Sequence, residues 1–381
     1  MADILDIFKK KTELLCKGLY LDKNLIEHYQ RQGIDIYPGR KGGAGPLGGR
    51  YFLFEDRTLV NIALWEDHAR TNLTLGEKDG DYLKILDSKT NKVFSKLKLV
   101  QNPKYYDPSF KTSDGIPMKK IALVHGVDCL ASTIYQKCVY WSCGLPCKFC
   151  GIELSLYSGD TILEKNARQM CEVITVAKKE GRCSHMTLTS GTDESIDKGA
   201  ERYIEILKGI KKNFPDLPIH VQIEPLQEID YLYRLKKAGA DTIGIHLEVV
   251  NEDLRKKITP GKAKIPFNLF EENWSIAIDI FGKNQVDTYI LTGFGESKKS
   301  FINGIRKIVS IGVIPFITPV RSIPGKKTMP FTPPNYLINL ELDVAKIMKE
   351  HNVNPLENKA GCVRCGGCSS IKEAYKVIMQ N

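Results

Sequence analysis

Between residues 130 and 325, short apolar runs alternate with longer stretches of helical spacing. The runs are Met186–Thr189, Ile219–Ile223, Thr242–Leu247, Thr288–Leu291 and Val313–Thr318. Segments between them, such as Ala167–Glu180, Tyr203–Asn213, Leu226–Ala238 and Lys299–Ile311, carry apolar residues at helix periodicity. Alternation of runs and helical stretches at this spacing indicates βα units and a parallel sheet. About six units fit if a strand preceding Cys143 is included. The pattern predicts an α/β chain built on a partial (β/α)6, TIM-like barrel, with reactive groups at the carboxyl ends of the strands.

The flanks read differently. Residues 1–125 form an expected accessory α+β region: helical spacing over Ile4–Lys17, a Gly/Pro-rich loop over Ile36–Arg50, then strand-like runs at Arg50–Leu64 and Asp81–Val100. The loop matches no phosphate-binding fingerprint. Such a β-rich region could cover a barrel mouth or dock a partner. Residues 126–325 hold the barrel, and 326–381 a short extension with prolines 330, 333 and 334, a helix over Leu337–Lys349 and the run Cys362-Val-Arg-Cys365-Gly-Gly-Cys368.

Composition narrows the classes. The 381 residues contain no apolar run long enough to span a bilayer, and the N-terminus lacks the pattern of a secretory signal. Of the 11 cysteines, six fall in two tight clusters. That argues for metal ligation in a reducing, cytoplasmic setting over a disulfide framework. Cys16, Cys171 and Cys183 read as buried free thiols. The net charge of +10 comes from dispersed lysines, with no basic run interleaved with aromatics. Neither nucleic acid nor membrane is an expected partner.

The sharpest chemistry lies in Cys143-Gly-Leu-Pro-Cys147-Lys-Phe149-Cys150. Three close thiolates can hold three corners of a [4Fe–4S] cluster and leave one iron open, whereas a structural zinc site needs four ligands. The alternatives are a zinc knuckle completed from elsewhere and free thiols. The spacing resembles the signature of the radical S-adenosylmethionine (SAM) superfamily, in which SAM chelates the open iron. Other segments are similar to SAM-contacting motifs of that family. Ser190-Gly191-Thr192 stands where many members carry a Gly-Gly-Glu-like turn, and Leu291 in Tyr289-Ile-Leu-Thr-Gly-Phe-Gly-Glu296 takes the adenine-packing position. The resemblance also implies SAM contacts for Phe149 and for Glu224, just after the run Ile219–Ile223.

His246-Leu-Glu248 through Leu254-Arg255 to Pro260-Gly261 resembles a lipoyl synthase segment, with His246 where that family has Asn. It implies ribose contact by Glu248 and pairing of Arg255 with the methionine carboxylate. Arg321 is a further candidate for SAM or substrate. The auxiliary cysteine motif and the Arg-Ser-Ser-Tyr motif of bacterial-type lipoyl synthase do not occur here. The resemblance is therefore nearest to the two-component, archaeal-type lipoyl synthase.

The second triplet, Cys362, Cys365 and Cys368, suggests an auxiliary [4Fe–4S] cluster, with a zinc site as the plain alternative. Its fourth ligand could be Cys129, Cys138, Ser369 or Ser370. The resemblance implies hydrogen abstraction at C6 or C8 of an octanoyl-lysine chain, with the auxiliary cluster donating sulfur. Its expected partners are an octanoylated carrier (H protein or E2 domain), a second radical SAM protein, and an electron donor such as ferredoxin or flavodoxin. Competing readings are a radical SAM enzyme acting on a small molecule, as in biotin synthase, with the C-terminal cluster in electron transfer or substrate binding; a non-catalytic metal scaffold; and a thiol redox protein.

Overall fold

The computed structural model describes residues 3–21, 23–34, 36, 48–323 and 329–380. Most of the Gly/Pro-rich loop expected at 36–50, residues 37–47, lies outside the described residues.

The central element is an open, curled sheet of seven strands. Its order is β13-β12-β11-β10-β9-β8-β7. The strands are β7 (Leu123–His125), β8 (Cys129–Thr133), β9 (His185–Thr189), β10 (Ile219–Ile223), β11 (Thr242–Ile245), β12 (Val286–Thr292) and β13 (Ile314–Pro319). From β8 onward every neighbouring pair runs parallel, while β7 is antiparallel to β8. The apolar runs form strands because helices cover one face and the curl of the sheet encloses the other. Met186, Leu188, Ile219, Val221, Ile243, Ile245 and Ile314 are essentially inaccessible.

The expected accessory region is a closed six-stranded barrel, order β1-β3-β2-β6-β5-β4. Its strands are β1 (Leu19–Tyr20), β2 (Gly49–Leu53), β3 (Leu59–Trp65), β4 (Leu73–Asp79), β5 (Tyr82–Asp87) and β6 (Lys92–Leu99). Phe52, Val60, Ile62, Leu73, Ile85 and Leu97 fill its own core. The expected boundary at 125/126 falls inside the β7–β8 hairpin, so residues 123–125 belong with the large sheet.

The C-terminal helices Pro334–Glu350 and Ile371–Gln380 share the hydrophobic core of the large sheet. Helix Ile4–Lys17 packs against both of them. Beneath it runs a buried polar network. Lys11 Nζ donates to Glu373 Oε2 at 2.7 Å and to the Gly366 carbonyl at 2.8 Å. Thr12 and Ser370 hydroxyls meet at 2.7 Å, and Ser370 Oγ donates to Glu341 Oε2 at 2.5 Å. The network ties the first helix to the loop carrying the second cysteine triplet.

Burial pushes the Glu341 carboxyl up from 4.5 to about 8, against the hydrogen bond from Ser370 and the charge of Lys11. A raised acid binds its proton more tightly folded than unfolded, so stability falls as pH rises from 4.5 towards 8. We expect Glu341→Gln to flatten that fall by up to about 1.4 kcal/mol per pH unit. Denaturant unfolding across this pH range measures it; an unchanged slope would count against the protonated carboxyl.

Candidate active site

The curl of the sheet encloses a cavity of about 390 Å³. Around it stand Cys147, Phe149, Cys150, Ser190, Gly191, Thr192, Glu224, His246, Glu248 and Leu291, all anticipated from the sequence. Cys362, Cys368 and Arg321 line the same cavity.

The loop at Cys143–Cys150 is held from two sides. Val139 N–H donates to Thr192 O at 2.9 Å, and Gly191 N–H donates to Tyr135 O at 2.9 Å. A methyl group on Gly191 would stand 1.8 Å from the Lys137 carbonyl oxygen, so only glycine lets the turn after β9 seat here. On the other side, Lys148 N–H donates to Ile258 O at 2.9 Å. Gly261 packs so closely that a Cβ there would be 2.3 Å from a Tyr140 ring carbon. Pro260-Gly261 is thus the segment that docks on the cysteine loop. Cys143 is exposed, whereas Cys147 and Cys150 face the cavity.

Just beyond Gly261 lies Lys262, which the sequence reading missed. Its ammonium donates to both Glu248 oxygens, at 2.8 and 3.0 Å, and to the His246 carbonyl at 3.2 Å. It stands 3.7 Å from Glu224, whose other oxygen accepts from Tyr140 OH at 3.0 Å. Burial works against the charge on Lys262, but Glu248 and Glu224 outweigh it and hold its pKa above the ordinary value. Burial also pushes Glu248 up, opposed by Lys262. Glu248 adopts φ 59°, pinned by its N–H to Tyr289 O and by Leu291 N–H to its own carbonyl. A non-glycine residue in this left-handed region costs free energy that its surroundings must offset.

Arg255 is placed elsewhere. It does not line the cavity; Nη2 donates to Ile265 O at 3.0 Å and the guanidinium lies 5.8 Å over the Phe270 ring. Its position on helix Glu252–Ile258 aims it at the neighbouring helix Phe267–Phe281. The cation beside Glu248 in the cavity is Lys262, and the methionine-carboxylate role expected of Arg255 has no counterpart in this placement.

At the other end, Cys362 and Cys368 form part of the wall. Gln222 Nε2 reaches Cys362 Sγ at 3.7 Å, and Tyr51 OH lies 4.0 Å from Cys368 Sγ. Arg321 donates to Asn61 Oδ1 and, at 2.5 Å, to Asn61 O, so the small barrel closes this end. Burial pushes the Cys368 thiol up, and the Arg321 charge opposes this by favouring thiolate. Burial likewise raises Cys150 to about 11 and Cys365 to about 12.

Of the residues considered as a fourth ligand, Cys138 lines the cavity near Cys150 and Glu224, at the first loop. Ser369 and Ser370 are buried and hydrogen-bonded to Glu341. Cys129 is buried, and Cys365 and Cys362 are the titratable groups that act on its thiol most. Among the described residues, which include all eleven cysteines, no disulfide forms. Among the described residues, no three His, Cys, Asp or Glu side chains gather round a single ion position. A tetrahedral zinc site needs such a gathering at about 2.0–2.3 Å, while a cubane spreads its thiolates over four irons.

The sequence profile of the radical SAM superfamily matches residues 140–308. Those residues belong to the radical SAM superfamily. The match spans the cysteine loop, Glu224, the His246–Lys262 segment and Leu291, and a radical SAM domain implies SAM and a [4Fe–4S] cluster. The chain is 24% identical over 246 residues to bacteriochlorophyllide c C-7(1)-hydroxylase of Chlorobaculum limnaeum, covering 60% of this chain and 61% of the relative. The chain thus spans about three fifths of that hydroxylase. It is 39% identical over 75 residues to 5-amino-6-(D-ribitylamino)uracil–L-tyrosine 4-hydroxyphenyl transferase 2 of Methanosarcina barkeri, 16% of this chain and 19% of the relative. Among solved structures, the FeFe-hydrogenase maturase HydG of Carboxydothermus hydrogenoformans aligns at TM-score 0.43 and 17% identity, over 60% of this chain and 53% of that one. Among the described residues, no helix is long and apolar enough to cross a membrane.

In the radical SAM domain, Cys143, Cys147 and Cys150 would hold the cluster, with Glu224, Glu248 and Lys262 facing SAM. Lys262→Met removes the cation between two buried carboxylates. We expect it to weaken SAM binding by about tenfold or more, the equivalent of roughly 1.4 kcal/mol. Anaerobic calorimetric titration of iron-replete protein measures this, and unchanged affinity would show that Lys262 plays no part in the SAM site.

Proposed function

We propose that this chain is a radical SAM enzyme that acts on a small molecule held inside the half-barrel, between the SAM-binding cysteines and a second iron–sulfur cluster at Cys362, Cys365 and Cys368. The observation that carries the reading is the single cavity walled by Cys147 and Cys150 at one end and by Cys362 and Cys368 at the other. Glu224 and Gln222 are two residues apart on the β10 line, as are Leu291 and Tyr289 on β12. Each such step carries the cavity wall about 7 Å along its strand.

When bound, the first cluster supplies the electron that turns SAM into a hydrogen-abstracting reagent. The chain's own residues do the rest. Glu248, Glu224 and Lys262 fix the polar part of SAM, and Leu291 and Phe149 give it apolar walls. Gln222, Tyr289, Thr187, Tyr203 and His246 offer the substrate hydrogen-bonding groups along the middle of the cavity. His246 Nδ1 accepts from Tyr289 N–H at 3.1 Å, which leaves the proton of the neutral ring on Nε2. The small barrel, through Asn61 and Tyr51, and the C-terminal loop exclude water from the far end. An electron donor such as ferredoxin or flavodoxin would approach at Cys143, the exposed cysteine of the loop.

The sulfur-inserting, lipoyl synthase-like alternative draws on the same cavity, because a sulfur donor would also face the substrate from the second site. The similarity to a bacteriochlorophyllide hydroxylase and to a 4-hydroxyphenyl transferase supports small-molecule modification. We expect anaerobically reconstituted protein to contain about eight irons per chain, to form 5′-deoxyadenosine from SAM and reductant, and to leave an octanoyl-lysine peptide unthiolated. Thiolated peptide would overturn the small-molecule reading in favour of sulfur insertion. Absence of 5′-deoxyadenosine from iron-replete protein would overturn both.

A further inference from the structure

The C-terminal triplet provides three thiols, and a cubane has four irons to ligate. The strand register points to the fourth. On β8, Cys129 pairs antiparallel with His125 of β7 and parallel with His185 of β9. Directly paired residues share a face of the sheet. His125 lines the cavity, and so does Thr187, two residues beyond His185 on the same face of β9. Cys129 therefore projects into the curl, while the next residue, Leu130, joins the core on the helix side.

Both partners of Cys129 lead to the cysteine loop. Gly361 N–H, one residue before Cys362, donates to His185 Nδ1 at 3.1 Å. Gly126, one residue after His125, lies so near Cys365 that a Cβ there would be 3.0 Å from its Sγ. Burial dominates the setting of the Cys129 thiol, and Cys365 and Cys362 are the titratable groups that act on it most. Ser369 and Ser370 are committed to Glu341, and Arg321 to Asn61.

We propose that Cys129 is the fourth protein ligand of the second cluster, closing a Cys129/Cys362/Cys365/Cys368 site that has no open iron for a substrate. This rests on the second-cluster reading above, and it separates the two sites chemically. The first keeps a free coordination position for SAM, while the second presents only sulfur-ligated iron to the cavity.

The test uses the full chain with Cys143, Cys147 and Cys150 all changed to Ala, so that only the second site can load. Iron analysis, Mössbauer and EPR spectra are compared for this parent, for the parent with Cys129→Ala or Cys129→Ser, and for the parent with the buried control Cys183→Ala. We expect the parent and the Cys183→Ala protein to hold about four irons with spectra indifferent to added small thiol or imidazole. Cys129→Ala should yield a three-iron EPR signal on mild oxidation, or a four-iron cluster whose signal shifts with added thiol. Cys129→Ser should keep four irons with one site moved towards oxygen ligation. Variants at Cys129 with the parent's spectra and no ligand sensitivity would overturn the proposal alone. A parent that binds no cluster would overturn the second-cluster reading with it.

Discussion

Two carboxylates buried beside one cysteine loop would repel each other without a cation between them, and Lys262 is that cation. Ion pairs at such separations gain roughly 4 kcal/mol at an effective dielectric of about 20. This is enough to offset part of the cost of taking three charges out of water. The same residue ends the segment whose glycine packs on the loop, so charge balance and loop position have one origin. Glu248 can hold its left-handed conformation because β12 grips it on both sides of the peptide and Lys262 grips its side chain.

The large sheet was legible in the sequence because short apolar runs recur between segments of helical spacing. Ile219–Ile223 and its neighbours could not pass as surface helix. The observed β10 coincides with that run, and β9 and β13 differ from theirs by a residue at one or both ends. The small barrel was read only as β-rich. β4 to β6 are partly exposed and irregular in register, and β1 has two residues, too short for any periodicity to register. Its closure depends on pairings such as Tyr20 with Thr74 that no local pattern encodes.

At the site, spacing found the residues but not always their direction. Arg255 and Lys262 lie a few positions apart on either side of Pro260-Gly261. Which cation faces the cavity is decided by how that segment turns onto Tyr140 and Leu145. Cys129 and Cys138 were equivalent as isolated cysteines near one motif, yet β8 carries one towards the C-terminal loop while the following turn carries the other to the first. The Lys11–Glu373 and Ser370–Glu341 contacts join residues more than three hundred positions apart in one case and across two helices in the other, beyond the reach of sequence pattern.

That network also makes the second cysteine set depend on both ends of the chain. The first cysteine loop and the strands that hold it are contiguous in the chain and can assemble as they emerge, since chains tend to fold from the N-terminal side as they are made. The second cysteine set requires β8, the small barrel and the helices after Pro334 together. Loading of the two sites would then be separated in time, with the SAM site formed while the floor of the cavity is still open.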